Sequence, residues 1–376
     1  MFGKQRMGSL VGIQLLAIFF TFIATCFAVT LEEELYTQAA QNLQKGNYAE
    51  AIDGFDRVIL RNGAKYPEAY FSRGMALYRK LIVDVPQSGI NDISQVLSAD
   101  KKALLVKAIA DYTKAVGISP RYAQAYNGRG LAYHAQGNFD KAIADFTRAI
   151  KLDALLAAAY VNRGISYQMK NTWDKAKADF DKAISLDPTS VEAFIRLFSL
   201  PSSVMSADQG AASVTNAIAI FPEDPRIYIA SGQMNQSKGN TDQALMDFNK
   251  AITLNQKDSN AYISRGMLYA FMKDYDKALA DFDKVIEIDP RPSMGYAGKA
   301  FISQAKGNSS QAIKEYTQAI GIDQTRGDLY SSRANLYLLA GEYDKARADM
   351  FEAQRLGFSV STAFISELEN RSSNRR

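Results

Sequence analysis

One pattern recurs nine times along this chain at a spacing of 34 residues. A fixed period of that length constrains the fold more than any local propensity does. It is clearest at Ala159–Tyr160–Val161–Asn162–Arg163–Gly164–Ile165–Ser166–Tyr167, followed by Trp173–Asp174–Lys175–Ala176 and Asp179–Phe180–Asp181–Lys182–Ala183–Ile184, and closing on Asp187–Pro188. Tyr262, Arg265, Gly266, Tyr269, Tyr275, Ala278, Phe282 and Pro290 repeat the same internal spacings. Units of this kind touch only their neighbours and together build one extended surface.

Each unit reads as two amphipathic helices. Apolar or small residues fall at relative positions 4, 8 and 11, then at 17, 20, 24 and 27, which are helix-face spacings. A turn interrupts them, as at Gly137–Asn138, Gly239–Asn240, Gly307–Asn308 and Gly341–Glu342. Gly130, Ala142 and Ala149 let helix backbones approach closely, while Tyr126 and Phe146 fill the remaining space. Pro188 and Pro290 stand where the second helix must stop. A single helix pair cannot bury its apolar face alone, so stability needs stacked neighbours.

This pattern resembles the tetratricopeptide repeat family, whose units carry an aromatic at position 4, a small residue at 8, an aromatic at 11, Ala at 20, an aromatic at 24, Ala at 27 and Pro at 32. The resemblance covers residues 32–360. Units starting at Ala123, Ala157, Ser259 and Gly327 match best, and those at Pro225 and Ser293 match well. The unit from Glu32 is weaker, with Leu35 and Val58 at two of the marked positions. The resemblance implies an all-α, right-handed α-solenoid of about nine tetratricopeptide helix pairs, organised as repeats 32–224 and 225–360. Residues 361–370 read as a polar-faced capping helix, in which Phe364 and Leu368 pack inward, and 371–376 as a disordered tail.

Two places break the rhythm. In the unit from Pro67 the second helix is recognisable only from Lys107–Ala108, so residues 81–102 read as an insertion. Ile90, Ile93, Val96 and Leu97 within it allow one short amphipathic helix, and the segment reads either as a tolerated surface insertion or as a binding loop. The unit 191–224 keeps its length but has Phe198 for the small residue, Pro201 inside the first helix, Gly210 for Ala and Val214 for the aromatic. Proline removes a backbone hydrogen bond and clashes with the preceding turn. The expectation is a helix ending near Leu200, a loop over Pro201–Met205, and a restart capped by Ser206 with Gln209. Either a fixed bend or a hinge follows from such a break.

Residues 1–28 belong to something else. Lys4 and Arg6 precede an apolar run from Leu10 to Val29, and Ala28 offers a small residue for cleavage. The run is also near bilayer-spanning length. Thr30 with Glu33 reads as a capping box opening the first repeat helix. A cleaved export signal, a retained inner-membrane anchor and a lipoprotein attached through Cys26 all fit. Thr25 before that cysteine departs from the usual lipoprotein pattern. The expected location is therefore exported, either periplasmic or tethered to the membrane through this segment.

A charge pattern runs inside the array. Relative position 7 is Arg at Arg73, Arg129, Arg163, Arg265 and Arg333, and Lys at Lys299. Position 23 in the same units is acidic, at Asp111, Asp145, Asp179, Asp281, Asp349 and Glu315. Units with Gln38 and Leu197 lack both, having Gly54 and Ser213, and only the unit with Ser231 and Asp247 breaks the correspondence. Each base is expected to pair with the acid of its own or an adjacent unit along the helix seam; copying of one ancestral unit would leave the same coincidence.

The chemistry inventory is sparse. His134 is the one histidine and Cys26 the one cysteine, so no Ser-His-Asp, Cys-His or metal cluster can be assembled. No phosphate-cradling glycine loop appears, and no catalytic residue, metal or cofactor is expected. With 44 basic against 40 acidic residues and no basic stripe, nucleic acid is not an expected partner. The resemblance implies instead that positions 2, 5, 9, 12 and 13 of the first helices line a concave groove. They place there Asn127, Leu131, His134, Val161, Ile165, Gln168 and Met169, then Ile229, Ile263, Met267, Ala270, Phe271, Phe301, Leu338 and Leu339. Some members grip peptide C-termini with Lys, Asn and Arg. Here Asn127, Asn162 and Asn335 read as belonging to unrelated repeats without basic neighbours, so no such clamp is expected. The expectation is a non-enzymatic scaffold of the cell envelope, binding a protein or peptide partner of an assembly or secretion machinery through an apolar groove. The alternative is a ligand-binding module for a glycan or lipid.

Overall fold

In a computed structural model the described residues, 31–62, 65–83, 97–201 and 203–373, are all-α. Residues 1–30 lie outside them, and with them the export or anchor segment, Cys26 and the Thr30 cap. So do Ile90, Ile93 and Val96 of the insertion and the last three residues of the tail. In chain order the helices are α1 (31–45), α2 (Tyr48–Asn62), α3 (Pro67–Ile82), α4 (Ala99–Ile118), α5 (Ala123–Ala135), α6 (Phe139–Leu152), α7 (Ala157–Met169), α8 (Trp173–Leu186), α9 (Val191–Phe198), α10 (Ala207–Ile220), α11 (Pro225–Ser237), α12 (Thr241–Leu254), α13 (Ser259–Phe271), α14 (Tyr275–Ile288), α15 (Ser293–Ala305), α16 (Ser309–Ile322), α17 (Gly327–Leu339), α18 (Tyr343–Arg355) and α19 (Thr362–Ser373).

The chain forms two compact units, one ending at Ser166 and one beginning at Tyr167. In the first, α3 packs on α4 and α5 on α6, and each pair leans on the next through α2/α3 and α4/α5. The second repeats the scheme with α11/α12, α13/α14, α15/α16 and α17/α18. Phe146 in one unit and Phe248 and Phe282 in the other are fully buried, each against a glycine of a first helix. A Cβ on Gly298 would come within 2.4 Å of the Phe282 ring, which is why a small residue is obligatory there. Turns between paired helices need a left-handed residue, and Asn171 (φ 55°) and Lys273 (φ 63°) adopt it where other units have glycine.

Two boundaries differ from expectation. The second helix after the insertion begins at Ala99, capped by Ser98, rather than near Lys107. Leu97 and Leu105 are buried with Leu77 and Leu81, so apolar packing extends the helix backward into the inserted sequence. The terminal helix continues to Ser373, past the expected end at Asn370, and the Arg371–Glu367 pair one turn apart supports that last turn. Phe364 and Leu368 bury against Ala334, Leu338 and Ala346 of the last pair, as the capping role requires.

The charge pattern becomes a repeated clip. Arg265 forks onto Asp281 of its own unit, Nε donating at 2.9 Å and Nη2 at 2.7 Å. Arg129 does the same to Asp145, and Arg333 to Asp349. Arg73 reaches Asp111 in this way even across the insertion. The remaining nitrogen, Nη1, crosses to the preceding unit: Arg129 to Thr113, Arg163 to Thr147, Arg265 to Asn249, Arg333 to Thr317 and Arg73 to Asp56. All five acceptors stand at relative position 25. Lys299 departs from the expected pairing. Its single amino head goes to Asp283 at position 25, and Glu315 accepts instead from Ser303 and Gln311. A lysine cannot fork in two directions as a guanidinium does.

The unit 191–224 lacks the clip on both sides. Leu197 is buried where the base would be, and Asp181 of the preceding unit turns to Lys177. Ser231 of the following unit binds Asp247, leaving Thr215 to bond its own helix at Ala211. α9 is cut to 8 residues, and α10 restarts at the Ser206–Gln209 capping box, as the proline and cap pattern indicated. The Lys238 amino group is buried without a hydrogen-bond partner, beside the space Gly210 leaves open.

Two expectations follow. Leucine at Arg265 or at Asp281 strands a largely buried partner and costs ~3–5 kcal/mol in thermal unfolding, while the double replacement costs less than the sum. Additive losses would show that no pair exists. In hydrogen exchange by mass spectrometry, α10 opens at least tenfold faster than α12 or α14, because it lacks both the clip and a buried aromatic; equal protection would refute a local weak point.

Candidate functional site

First helices of successive pairs pack directly on one another, α3 on α5 in the first unit and α11 on α13 on α15 in the second. Within each unit these helices lie side by side. Their other side is committed to the clip and the aromatic core, so positions 9 and 13 are what this layer offers to a partner.

In the first unit the face is polar and closed. Asn127, Leu131, His134 and Ile165 are half-buried, and Val161 is buried. Asn162 Nδ2 donates to Asn127 Oδ1 at 3.0 Å, so these two asparagines stand in adjacent repeats and engage each other, contrary to their reading as unrelated. Ser166 donates its hydroxyl to the Asn162 carbonyl, which leaves its oxygen to accept from His134 Nδ1 at 2.9 Å. The His134 ring also meets Phe139 edge-on, at 5.1 Å between centroids. This histidine ties α5 to α7 and is not poised as a ligand. Burial pushes the Tyr78 phenol, at position 12 of α3, up to about 12, so it stays neutral.

In the second unit the face is apolar and open. Met267 is 40% exposed, Phe271 77%, Phe301 44% and Leu339 66%, all at positions 9 or 13. Met272, just past α13, adds to the strip and was missed because it belongs to the turn rather than to a helix position. Ile263 and Met169 are half-buried. Three residues expected on the surface are inside. Ile229 packs with Tyr228 and Ala261, Ala270 with Phe282 and Ile302, and Leu338 with Phe364 and Leu368. Leu338 is covered by the terminal helix, which the repeat pattern alone does not register. Positions 5, 9, 12 and 13 of the four repeats from Pro225 onward hold no acid and no base, whereas position 2 carries Arg226 and Asp328 and position 14 carries Lys306.

Electrostatics concentrate at the seam behind this face. Asp281 and Asp349 are nearly inaccessible, and the hydrogen bonds Arg265 donates to the Asp281 carboxylate hold its guanidinium above its already high range, against the effect of burial. No group of three His, Cys, Asp or Glu able to hold a metal occurs among the described residues.

Comparison with known proteins agrees with this geometry. Family models described as tetratricopeptide repeat match residues 123–154, 157–190, 225–258 and 259–292, and one described as TPR repeat matches 105–137. No curated protein matches significantly. Among solved structures, the chain is similar to a tetratricopeptide repeat protein from Parabacteroides merdae at 16% identity, covering 86% of this chain and 98% of that one, with a TM-score of 0.49. A monomeric IFIT1 mutant with Gppp-AAAA aligns at 14% identity over 85% and 79% of the two chains, with a TM-score of 0.50. YrrB, a TPR protein with an unusual peptide-binding site, aligns at 24% identity over 50% and 97%, with a TM-score of 0.36. At such identities the likeness concerns the fold alone. With its in-phase helix pairs and these repeat matches, the chain belongs to the tetratricopeptide repeat family.

Proposed function

We propose that this protein is a non-enzymatic interaction scaffold that holds a partner helix or peptide on the first-helix face of its second unit. The observation that carries this reading is the set of Met267, Phe271, Phe301 and Leu339, apolar and exposed at positions 9 and 13. A contiguous apolar strip on a polar surface marks a partner site, and methionine and phenylalanine adapt to varied shapes. In the first unit Asn127 and His134 are engaged by Asn162 and Ser166, and Leu131 and Ile165 are half-buried.

The cell-envelope assignment rests on the sequence of residues 1–28 alone. We place the protein in an exported compartment, working with an assembly or secretion machinery. Lys4 and Arg6 before the apolar run and Ala28 at its end support that placement.

Cross-linked affinity purification from native membranes tests the docking face. The Met267→Glu, Phe271→Glu variant, with an unchanged circular dichroism spectrum, is expected to lose a partner that the wild type retains. A partner kept at full yield would move the function to residues 81–102 or to the second helices, and small molecules co-purifying without any protein would favour the glycan or lipid reading. Mass spectrometry of the native protein is expected to find its N-terminus near Val29. A lipidated Cys26 or an intact N-terminus would replace cleavage with tethering.

A further inference from the structure

The first unit carries a different chemistry near the starts of its first helices. We infer that Tyr36, Tyr66 and Tyr122, with Glu33 and Glu68, form a binding site for an organic cation of the alkylammonium class. The cluster lies wholly within the first unit and is independent of the docking face proposed above.

The residue before a first helix is normally a cap. Ser190, Asp224 and Asp258 hold that place in later repeats, and each side chain accepts a backbone N–H of the helix it opens. Before α3 and α5 stand Tyr66 and Tyr122, and neither side chain makes a cap bond. These phenols do nothing for the helix starts they occupy, so their use lies in what surrounds the rings.

The rings converge. Tyr36, at position 5 of α1, lies 6.0 Å from Tyr66 between centroids, and its hydroxyl shares a 3.0 Å hydrogen bond with Ser72 of α3. Phe71 of α3 backs the Tyr122 ring at 5.1 Å. Burial raises the Tyr122 phenol, and the nearby Tyr36 phenol and Glu68 carboxylate raise it further. Burial also raises the Tyr66 phenol, with Glu33, Glu32, Glu68 and Tyr36 adding to the effect. Tyr36 and Glu68 therefore stand near both other tyrosines, and residues of α1, α3 and the start of α5 make one cluster.

The chain supplies no cation to this cluster. Elsewhere its own arginines stand over tyrosine faces, Arg265 over Tyr262 and Tyr269, and Arg73 over Tyr70. Among the described residues no Lys or Arg stands over Tyr36, Tyr66 or Tyr122, and neither Glu33 nor Glu68 has an ion pair. Lys65 and Arg121 border the cluster in sequence, and both are exposed. A ring face beside a carboxylate suits a cation with an apolar body, since the rings meet its methyl or methylene groups and the acids meet its charge. The starts of α3 and α5 each oppose this with about half a positive charge, which the acids of the first turns outweigh.

Titration calorimetry on the full chain tests the site, with choline, its uncharged carbon isostere dimethylbutanol, and butylammonium as probes. Choline is expected to bind saturably and at least tenfold more tightly than dimethylbutanol. Tyr66→Leu, Tyr122→Leu and Glu68→Gln each weaken it at least threefold, while Tyr66→Phe, which keeps the ring, does not. Glu50→Gln, an exposed acid on α2 outside the cluster, leaves binding unchanged. Circular dichroism checks folding, and because Tyr122 packs on Phe71, Tyr66→Leu and Glu68→Gln decide the matter where Tyr122→Leu misfolds. Butylammonium binding as tightly as choline would assign the site to lysine-like groups, and preference for choline to quaternary ammonium solutes. Equal binding of choline and dimethylbutanol would make the cluster an apolar patch and overturn the cation. Binding untouched by Tyr66→Leu and Glu68→Gln, or no saturable binding of either cation, would overturn the site.

Discussion

A single guanidinium holds two neighbouring repeats in register, and the stacking of helix pairs depends on it. Its Nε and Nη2 are spent on a buried carboxylate of the same unit, and its Nη1 on an acceptor in the unit before. The aromatic rings at positions 4 and 11 sandwich the group, Tyr262 and Tyr269 around Arg265, Tyr330 and Tyr337 around Arg333. Stacking on two ring faces holds the fork before it bonds, so little side-chain freedom is lost on forming it. A buried ion pair offsets its desolvation only when every donor and acceptor is satisfied, and here each nitrogen that points inward has a partner. Apolar burial supplies the bulk of the attraction between helices, while the clip ties each arginine to its own repeat and to the one before.

The seam also shows how the same burial is tolerated when the base is lost. Asp247 keeps its carboxylate inside by accepting from Ser231, Asn235 and Gln243, three neutral donors on the two helices of its pair. Glu315 does likewise with Ser303 and Gln311. These substitutes satisfy the acid but reach no neighbour; the repeat of Asp247 gives up the link to the one before it, whereas the repeat of Glu315 keeps it through Lys299 and Asp283. Around 191–224 both links are gone, and what remains is apolar contact of α9 with α8 and α11 and a lightly anchored α10.

Much of this was legible in the sequence because repetition is a form of measurement. Nine copies in phase separate core positions from outward ones, and the coincidence of Arg265 with Asp281 or Arg333 with Asp349 pointed to the pair before any geometry. Position 25 escaped notice because its occupants, Thr113, Asn249, Asp283 and Thr317, share no charge or size, only an accepting oxygen. Likewise Met267, Phe271, Phe301 and Leu339 are exposed, as their outward positions indicated. That reading failed at Leu338, which an element outside the pattern covers, and at Ile229 and Ala270, which neighbouring units enclose. The start of α4 failed for a related reason. Leu97 and Leu105 follow helical packing that belongs to the insertion and not to the family pattern.

The clip has a direction, since each arginine reaches backward, and a direction implies ends. The repeat from Glu32 has Gln38 in place of the base. In the last unit position 25 is Phe351, an exposed ring where every preceding unit from Asp56 onward carries an oxygen. At Phe351 the side chain exchanges an oxygen's reach for an apolar surface, so the last helix pair of the array presents a different chemistry from every pair before it.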